Sequence, residues 1–541
     1  MKQHIKKIIV VIISAFAIFQ VSNFFTSTPK GEAQEEQILN LSVASEPIMD
    51  PAFVTDSYSM PMLKNILEGL TRPTNEGEIV PAMAKSWDIS EDGLTYTFHL
   101  RDDVSWSNSE PVTASDFEYA WKRIINPETG APNASKMFVI EGAEEYYMGE
   151  GSEEDVKVKA IDDQTFEVTL TEATPHFIEL TARQITMMPV HQGTVEANAS
   201  WATEAGEGFV SNGPFNFVEW NHNGDYTLAK NEDYWDAENV DLDGVYVRII
   251  EDSQTANMSF LDGDLDFIGI PFNTIPADSI DSYRNDRTLE VTDIGATYMY
   301  KLNTTDEIMQ NANIRRALSL AINRQDLIDN VVKGEQTPAL GAIAPTVESF
   351  EEDRGYFADA DYETAREYLQ KGLEELGIDD VAQLPVVIQT NDNDSHMAVA
   401  QYIQNEWARE LGVNATIETA EINVHFESMN QLNYQIGRIG PTVDYNSAYA
   451  FLEQYYAATT GQNRTGWENA EYQAILDKVN TVEDMEEQYE LYLEAEKIIM
   501  DEMPFIPIYY YSNPQVKSDR IDGLFVDGMV DVQLKEVTMT E

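Results

Sequence analysis

An α/β protein built from two or three lobes is the fold this sequence predicts. Three observations carry that expectation. The chain has 541 residues, well past the roughly 250–300 at which a single hydrophobic core stops growing. Its apolar fraction of 43% and aromatic fraction of 10% fit a folded protein and not a disordered one. Helical and strand patterns also alternate, most clearly over 362–418, where each of two amphipathic helices runs into Gly and then a strand.

The N-terminus has the plan of an export signal. Lys2, Lys6 and Lys7 precede residues 8–19, which are apolar apart from Ser14. That run is short of the about 20 residues a spanning helix needs. Gly31-Glu32-Ala33 offers a small-residue cleavage site, so residues 1–33 read as a signal peptide. An uncleaved anchor is the alternative, because Val21, Phe24 and Phe25 extend the apolar stretch. Either way the body is expected outside the cytoplasmic membrane, as a periplasmic, cell-envelope or extracellular protein. The chain has no cysteine, which excludes disulfides, thiolate chemistry, Cys-based zinc sites and a cysteine-linked lipid anchor.

Beyond a polar linker, residues 38–43 alternate like a strand. Residues 60–70 have helical spacing and stop at Thr71-Arg72-Pro73. Residues 84–121 read AKSWDISEDGLTYTFHLRDDVSWSNSEPVTASDFEYAW. The run predicts a turn at Glu91-Asp92-Gly93, a strand over 94–100, a short strand around Val104 and Trp106, and a helix carrying Tyr119, Trp121 and Arg123. Residues 156–170 read as paired strands about Asp162-Asp163. Asn212-Gly213-Pro214 turns into a strand at Phe215, and 226–229 and 244–250 are further strands. Residues 314–332 predict one amphipathic helix, 362–376 and 397–411 two more, with strands at 385–389 and 413–418. Helices over 472–500 and a late strand at 505–511 complete the order.

Lys and Arg number 34 against 95 Asp and Glu, a net charge of −61. Phosphate recognition needs Lys/Arg stripes, so nucleic acid is excluded as a partner. Such a surface keeps a protein soluble and monomeric. It reads as adaptation to a salty or alkaline exterior, with steering of cationic ligands as the sharper alternative. Salt screens charges beyond about 8–10 Å, so steering would fade in brine.

No catalytic signature stands out. Asn239 to Ile250 places Asp241, Asp243 and Gly244 like a calcium loop. Position twelve, which needs a bidentate Glu, is Ile250, so a turn into a strand is expected and no metal. There is no His-Glu-x-x-His and no Gly-x-Ser-x-Gly. Carboxylates abound, but none is singled out as a glycosidase pair. A secreted acidic hydrolase is thus the alternative from another class, and no cofactor is expected. Two polar segments are candidate binding loops: Asn391 to His396, between a strand and a helix, and Gly437 to Tyr445. In Tyr509-Tyr510-Tyr511, alternation sends one ring inward and another outward; Tyr510 is the candidate for a ligand-facing ring.

The 84–121 run closely resembles a signature of the family 5 extracellular solute-binding proteins, the oligopeptide- and dipeptide-binding receptors of ABC importers. KNEDYWDAENVDLDGVYVRIIED (230–252) is similar to a second signature, Ile314 to Arg324 to a third, and Ile506 to Tyr511 to a fourth. The resemblance implies a periplasmic-binding-protein-like class II fold, with two lobes joined by a hinge and an extra α+β domain. Lobe I would combine 38–65, 190–295 and 511–541, the extra domain 66–189, and lobe II 296–510. It implies a binding protein and not an enzyme, with an oligopeptide as ligand and a membrane ABC permease as partner.

Residue roles are implied in the same way. Arg438-Ile439-Gly440-Pro441-Thr442-Val443-Asp444-Tyr445 is similar to the family's Arg-x-Gly-Trp-x-x-Asp-Tyr. Asp444 would take the peptide amine, Arg438 the carboxylate of a short peptide, and Gly440 and Thr442 would offer main-chain partners. His396, matching the histidine of Asn-x-x-x-x-His, would reach the carboxylate of a longer peptide, and Asn391 would hydrogen-bond the ligand. Two departures stand out. Pro441 replaces the family's tryptophan, and Asn133 replaces a pocket tyrosine, so side-chain preference does not carry over. A nickel complex, an oligosaccharide, a dipeptide alone or a single peptide pheromone remain alternative ligands.

Overall fold

In the computed structural model, residues 36–540 are described, apart from 76, 348, 444, 460, 461 and 483. The expected export signal lies outside the described residues. Three β-sheets organise the rest. The first has four strands in the spatial order Ile38–Val43, Gly244–Ile249, Asp225–Lys230, Phe215–Asn221. Ile38–Val43 joins parallel to Gly244–Ile249, and the other pairings are antiparallel. Its inward residues Leu39, Leu41 and Val43 are fully buried, as strand alternation demands.

The second sheet is antiparallel, in the order Ala84–Ile89, Thr95–Leu100, Thr165–Thr169, Val158–Asp162. The helix Ala114–Ile125 covers it, and Thr113 and Asp116 close a reciprocal capping box at its start. Asp116 also accepts from the buried Trp106 indole at 3.3 Å, and Trp121 donates to the Met187 carbonyl at 2.9 Å. The aromatic signature at 84–121 is therefore core and capping chemistry. Around Val104 and Trp106 no full strand forms; a single bridge, Ser105 to Pro111, takes its place.

The third sheet has seven strands and carries two long ones, Glu290–Leu302 and Phe505–Lys517. These pair antiparallel from Glu290 opposite Gln515 to Lys301 opposite Phe505, with a register shift between Asp293 and Thr297. Ile436–Ile439 flanks Glu290–Leu302, followed by Val387–Asn391 and Thr416–Ala420 in parallel. Helices Ala312–Leu320, Tyr362–Leu376 and Asp394–Glu410 pack around this end of the sheet.

Two expected helices are interrupted. The helix begun at Ser59 ends at Ile66, because Leu67 turns extended and Leu70 pairs through its carbonyl with the amides of Ala82 and Ala84. The segment 314–332 breaks at Ala321 and Asn323. The Asn323 side chain caps the Asp326 amide, and Asp359 takes the Arg324 and Gln325 amides. Asparagine here supplies a local bond that competes with helix continuation. The loop at 239–250 is a turn into Gly244–Ile249, as expected. Among the described residues no group of His, Asp and Glu is placed to hold a metal ion, and no helix is long and apolar enough to cross a membrane.

Candidate functional site

A cavity of about 470 Å³ opens beside the third sheet, where Ile294 to Ala296 and Tyr511 of its two long strands line it. Gly295 is its keystone. The Gly295 amide donates to the Gly528 carbonyl at 2.7 Å, and its carbonyl accepts from the Val443 amide at 3.1 Å. A Cβ there would meet Met529 Sδ at 3.2 Å, Val443 Cγ2 at 3.3 Å and the Gly528 oxygen at 3.4 Å. Glycine leaves room for this close approach of the turn at 528–531 and the segment 440–443; a side chain would make the neighbours give by a few tenths of an ångström. The opposite walls come from Met60, Pro61 and Lys64 of the first helix, from Asn133, and from Arg183 to Ile185.

The segment after Ile436–Ile439 presents an open strand edge. Ala296 bridges Thr442, the Thr297 amide donates to the Pro441 carbonyl at 3.4 Å, and Val443 donates to Gly295. In this register Ala296 and Thr442 are a non-hydrogen-bonded pair, so the main-chain groups of Thr442 face away from the neighbouring strand. Those of Gly440, two residues back, face the same way. Both residues line the cavity. Pro441 occupies the position whose N–H would point to Thr297, so proline removes nothing from the open edge.

At the end of that edge lies Arg438, only 9% exposed. Its guanidinium sits 4.7 Å from the Tyr298 ring centre, donates to the Tyr511 hydroxyl at 3.2 Å, and approaches Asn391 Oδ1 at 3.5 Å. Its Nε is buried and has no partner, and among the described residues no carboxylate stands within ion-pairing distance. Arg183 in the same cavity is the opposite case: Glu179, Asp527 and Asp531 bind it at 2.9, 2.7 and 2.8 Å. A buried guanidinium of this kind can bind a carboxylate by charge-assisted hydrogen bonds.

His396 joins this cluster through the Tyr298 hydroxyl, 3.4 Å from Nδ1. Asn393 caps the helix that carries it. Burial, and secondarily the Arg438 charge, push the His396 imidazole down to about 4, so it is neutral at pH 7. Burial lowers His425 as well. The sign of the linkage follows. Between pH 6.5 and 4 the unfolded chain takes up a proton that folded His396 refuses, so stability is complete above 6.5 and lost on acidification through that window. Denaturation midpoints measured against pH should show this loss, and His396→Asn should make the profile shallower.

The sequence-predicted residues divide as follows. Gly440, Thr442 and Asn133 line the cavity, and the Asn133 amide donates to the Val54 carbonyl at 2.8 Å. Arg438, Asn391 and His396 gather beside it. Asp444 lies outside the described residues. Tyr510 is 1% exposed, and its hydroxyl is engaged with both the amide and carbonyl of Gly341 at 3.1 Å, away from the cavity. The neighbouring Tyr511 lines the cavity in its place, by the same alternation that first pointed to the triplet. Gly295, Tyr298 and the 528–531 turn carried no signal in the sequence: a lone glycine, a core-like tyrosine and a short turn look alike everywhere.

The family model of bacterial extracellular solute-binding proteins, family 5 (middle), matches residues 78–463. The chain is 40% identical to the oligopeptide-binding protein OppA of Bacillus subtilis (strain 168), over 94% of this chain and 93% of that one. Among solved structures it resembles the unliganded open form of the periplasmic murein tripeptide binding protein MppA, with 26% identity, a TM-score of 0.80 and coverage of 94% and 98%. It also resembles Haemophilus influenzae OppA in complex with the peptide RPPGFSPFR, at 27% identity, a TM-score of 0.75 and coverage of 94% and 100%.

Proposed function

Because this chain belongs to the bacterial extracellular solute-binding proteins of family 5, with their two-lobed class II fold, we propose that it captures oligopeptides in its cavity and delivers them to an ABC permease. It is a binding protein and not an enzyme. The observation that carries the peptide reading is the open edge at Gly440 and Thr442 ending at Arg438, which is buried with an unpartnered Nε and has no carboxylate in reach among the described residues. A strand edge recognises main-chain amides, which every peptide has, and Arg438 recognises a terminal carboxylate. Broad sequence tolerance follows, with water filling the side-chain pockets.

In this reading Asp444 takes the ligand amine. Arg438 holds the carboxylate of a short peptide, and His396 with Asn391 meets that of a longer one. Tyr511 stands where Tyr510 was expected, and Asn133 shapes the far wall. The lobes are 38–65 with 190–295 and 511–541, and 296–510; the extra domain is 66–189. The hinge lies at the crossings near 295 and 511, and closure is a ligand-shifted two-state equilibrium. The protein works as an exported monomer without a cysteine-linked anchor.

Asp444→Asn tests the amine anchor. It replaces a charge-assisted hydrogen bond by a neutral one, so affinity for free-amine peptides should fall by about 1–1.5 kcal/mol. Titration calorimetry reads this directly. Unchanged affinity in a folded variant removes Asp444 from the site.

A further inference from the structure

The helix Phe177–Arg183 and its leading residue His176 reach across to the segment that follows the open strand edge. The His176 ring lies flat on Tyr445, with centroids 3.7 Å apart and planes 6° from parallel. Three residues on, Glu179 Oε1 accepts the Asn446 main-chain amide at 3.0 Å. The same oxygen accepts from Arg183 Nε at 2.9 Å. Arg183 in turn is fixed by Asp527 and Asp531, and the Asp527 carboxylate also binds the amides of Met529 and Asp531 in the turn that touches Gly295.

A continuous chain of bonds therefore runs from the 527–531 turn through Arg183 and Glu179 to Asn446. Stretches nearly 270 residues apart in sequence meet there. The segment 440–446 is then held twice. The strand Glu290–Leu302 holds its start at residues 441–443, and His176 with Glu179 holds its end at 445 and 446. Tyr445 itself is 2% exposed.

We propose that His176 and Glu179 are positioning residues for the ligand. By clasping Tyr445 and Asn446 from the opposite wall, they hold the Gly440–Thr442 edge in place and keep the cavity shut over its occupant. The clasp governs ligand release, because its contacts form between walls that must part for the ligand to leave. The role in release rests on the peptide-binding reading; the clasp itself does not.

Two arms test it, on the chain from residue 34 onward. The chain has no cysteine, so cysteines replacing the exposed Lys159 and Lys497 accept a dye pair that reports the separation of the walls. His176→Ala with Glu179→Ala should shift the distance distribution to longer values, while His176→Phe with Glu179→Gln, which keep ring and acceptor, should restore it. An unchanged distribution overturns the clasp, whatever the ligand. In the second arm, stopped-flow release of a fluorescent tetrapeptide should quicken at least tenfold in the alanine variant, with association within twofold of wild type and recovery in the conservative variant. Release unchanged, or lost affinity falling wholly on association, overturns the positioning role. If wild type binds no peptide, the peptide reading has failed, and the distance arm still decides the clasp.

Discussion

Replacing Arg438 by methionine should weaken binding of free-carboxylate peptides by about 2–5 kcal/mol while leaving the unliganded protein as stable or more so. The two effects have one cause. Arg438 is buried against Tyr298 and Tyr511, with an unpartnered Nε and no carboxylate in reach among the described residues. Burying such a charge costs stability, and well-packed apolar substitutes for buried charges are often neutral or stabilising. The cation would then be kept for the ligand, at the expense of the empty fold. Calorimetry with free and C-amidated peptides, alongside thermal melts, separates the terms. The amidated peptide should bind both proteins alike. A variant that melts well below wild type and binds equally would make Arg438 structural.

Arg354→Ala should cost about 3–5 kcal/mol of stability, the consequence of stranding a buried carboxylate. Its partner Glu496 is 0% exposed. That carboxylate accepts from Arg354 Nε at 2.7 Å, from the amides of Ala342 and Ile343 at 2.7 and 2.9 Å, and from the Tyr356 hydroxyl at 2.9 Å. The network fastens the 341–347 loop to the helix Met485–Glu502, and Tyr510 secures the same loop through Gly341. This explains why Tyr510 faces inward. Denaturant unfolding of Arg354→Ala and Glu496→Gln checks the network. The glutamine variant, which leaves the buried Arg354 cation unmatched, should also destabilise, and an Arg354→Ala loss below about 1 kcal/mol would make the network dispensable.

Strands and amphipathic helices were legible wherever local pattern and tertiary role agree. The helix Tyr362–Leu376 begins and ends where its spacing and Gly377 predict. Pattern failed where a tertiary partner outbid it. Leu70 leaves the helix register to pair with the 82–84 segment, and Asn323 caps a new turn inside a continuous apolar period. Arg438, His396 and Asn391 were singled out only through the motifs shared with the family, and the structure brings the three together beside the cavity. Which tyrosine of 509–511 faces the cavity was a matter of one residue in register, which flips every side chain to the other face. Gly295 and the His176–Tyr445 stack arise from stretches far apart in sequence, and no local signal encodes such a meeting.

Peptide recognition here rests on the two ends of the ligand and the backbone between them. Titration calorimetry on the chain from residue 34, unfolded and refolded to strip any ligand, tests it most directly. Mixed-sequence peptides of two to six residues would be titrated, each free and N-acetylated. Binding should tolerate many sequences and weaken sharply on acetylation, with a length window set by Asp444 at one end and Arg438 or His396 at the other. No binding by any of these peptides would leave the fold standing and contradict the function, moving it to a non-peptide solute.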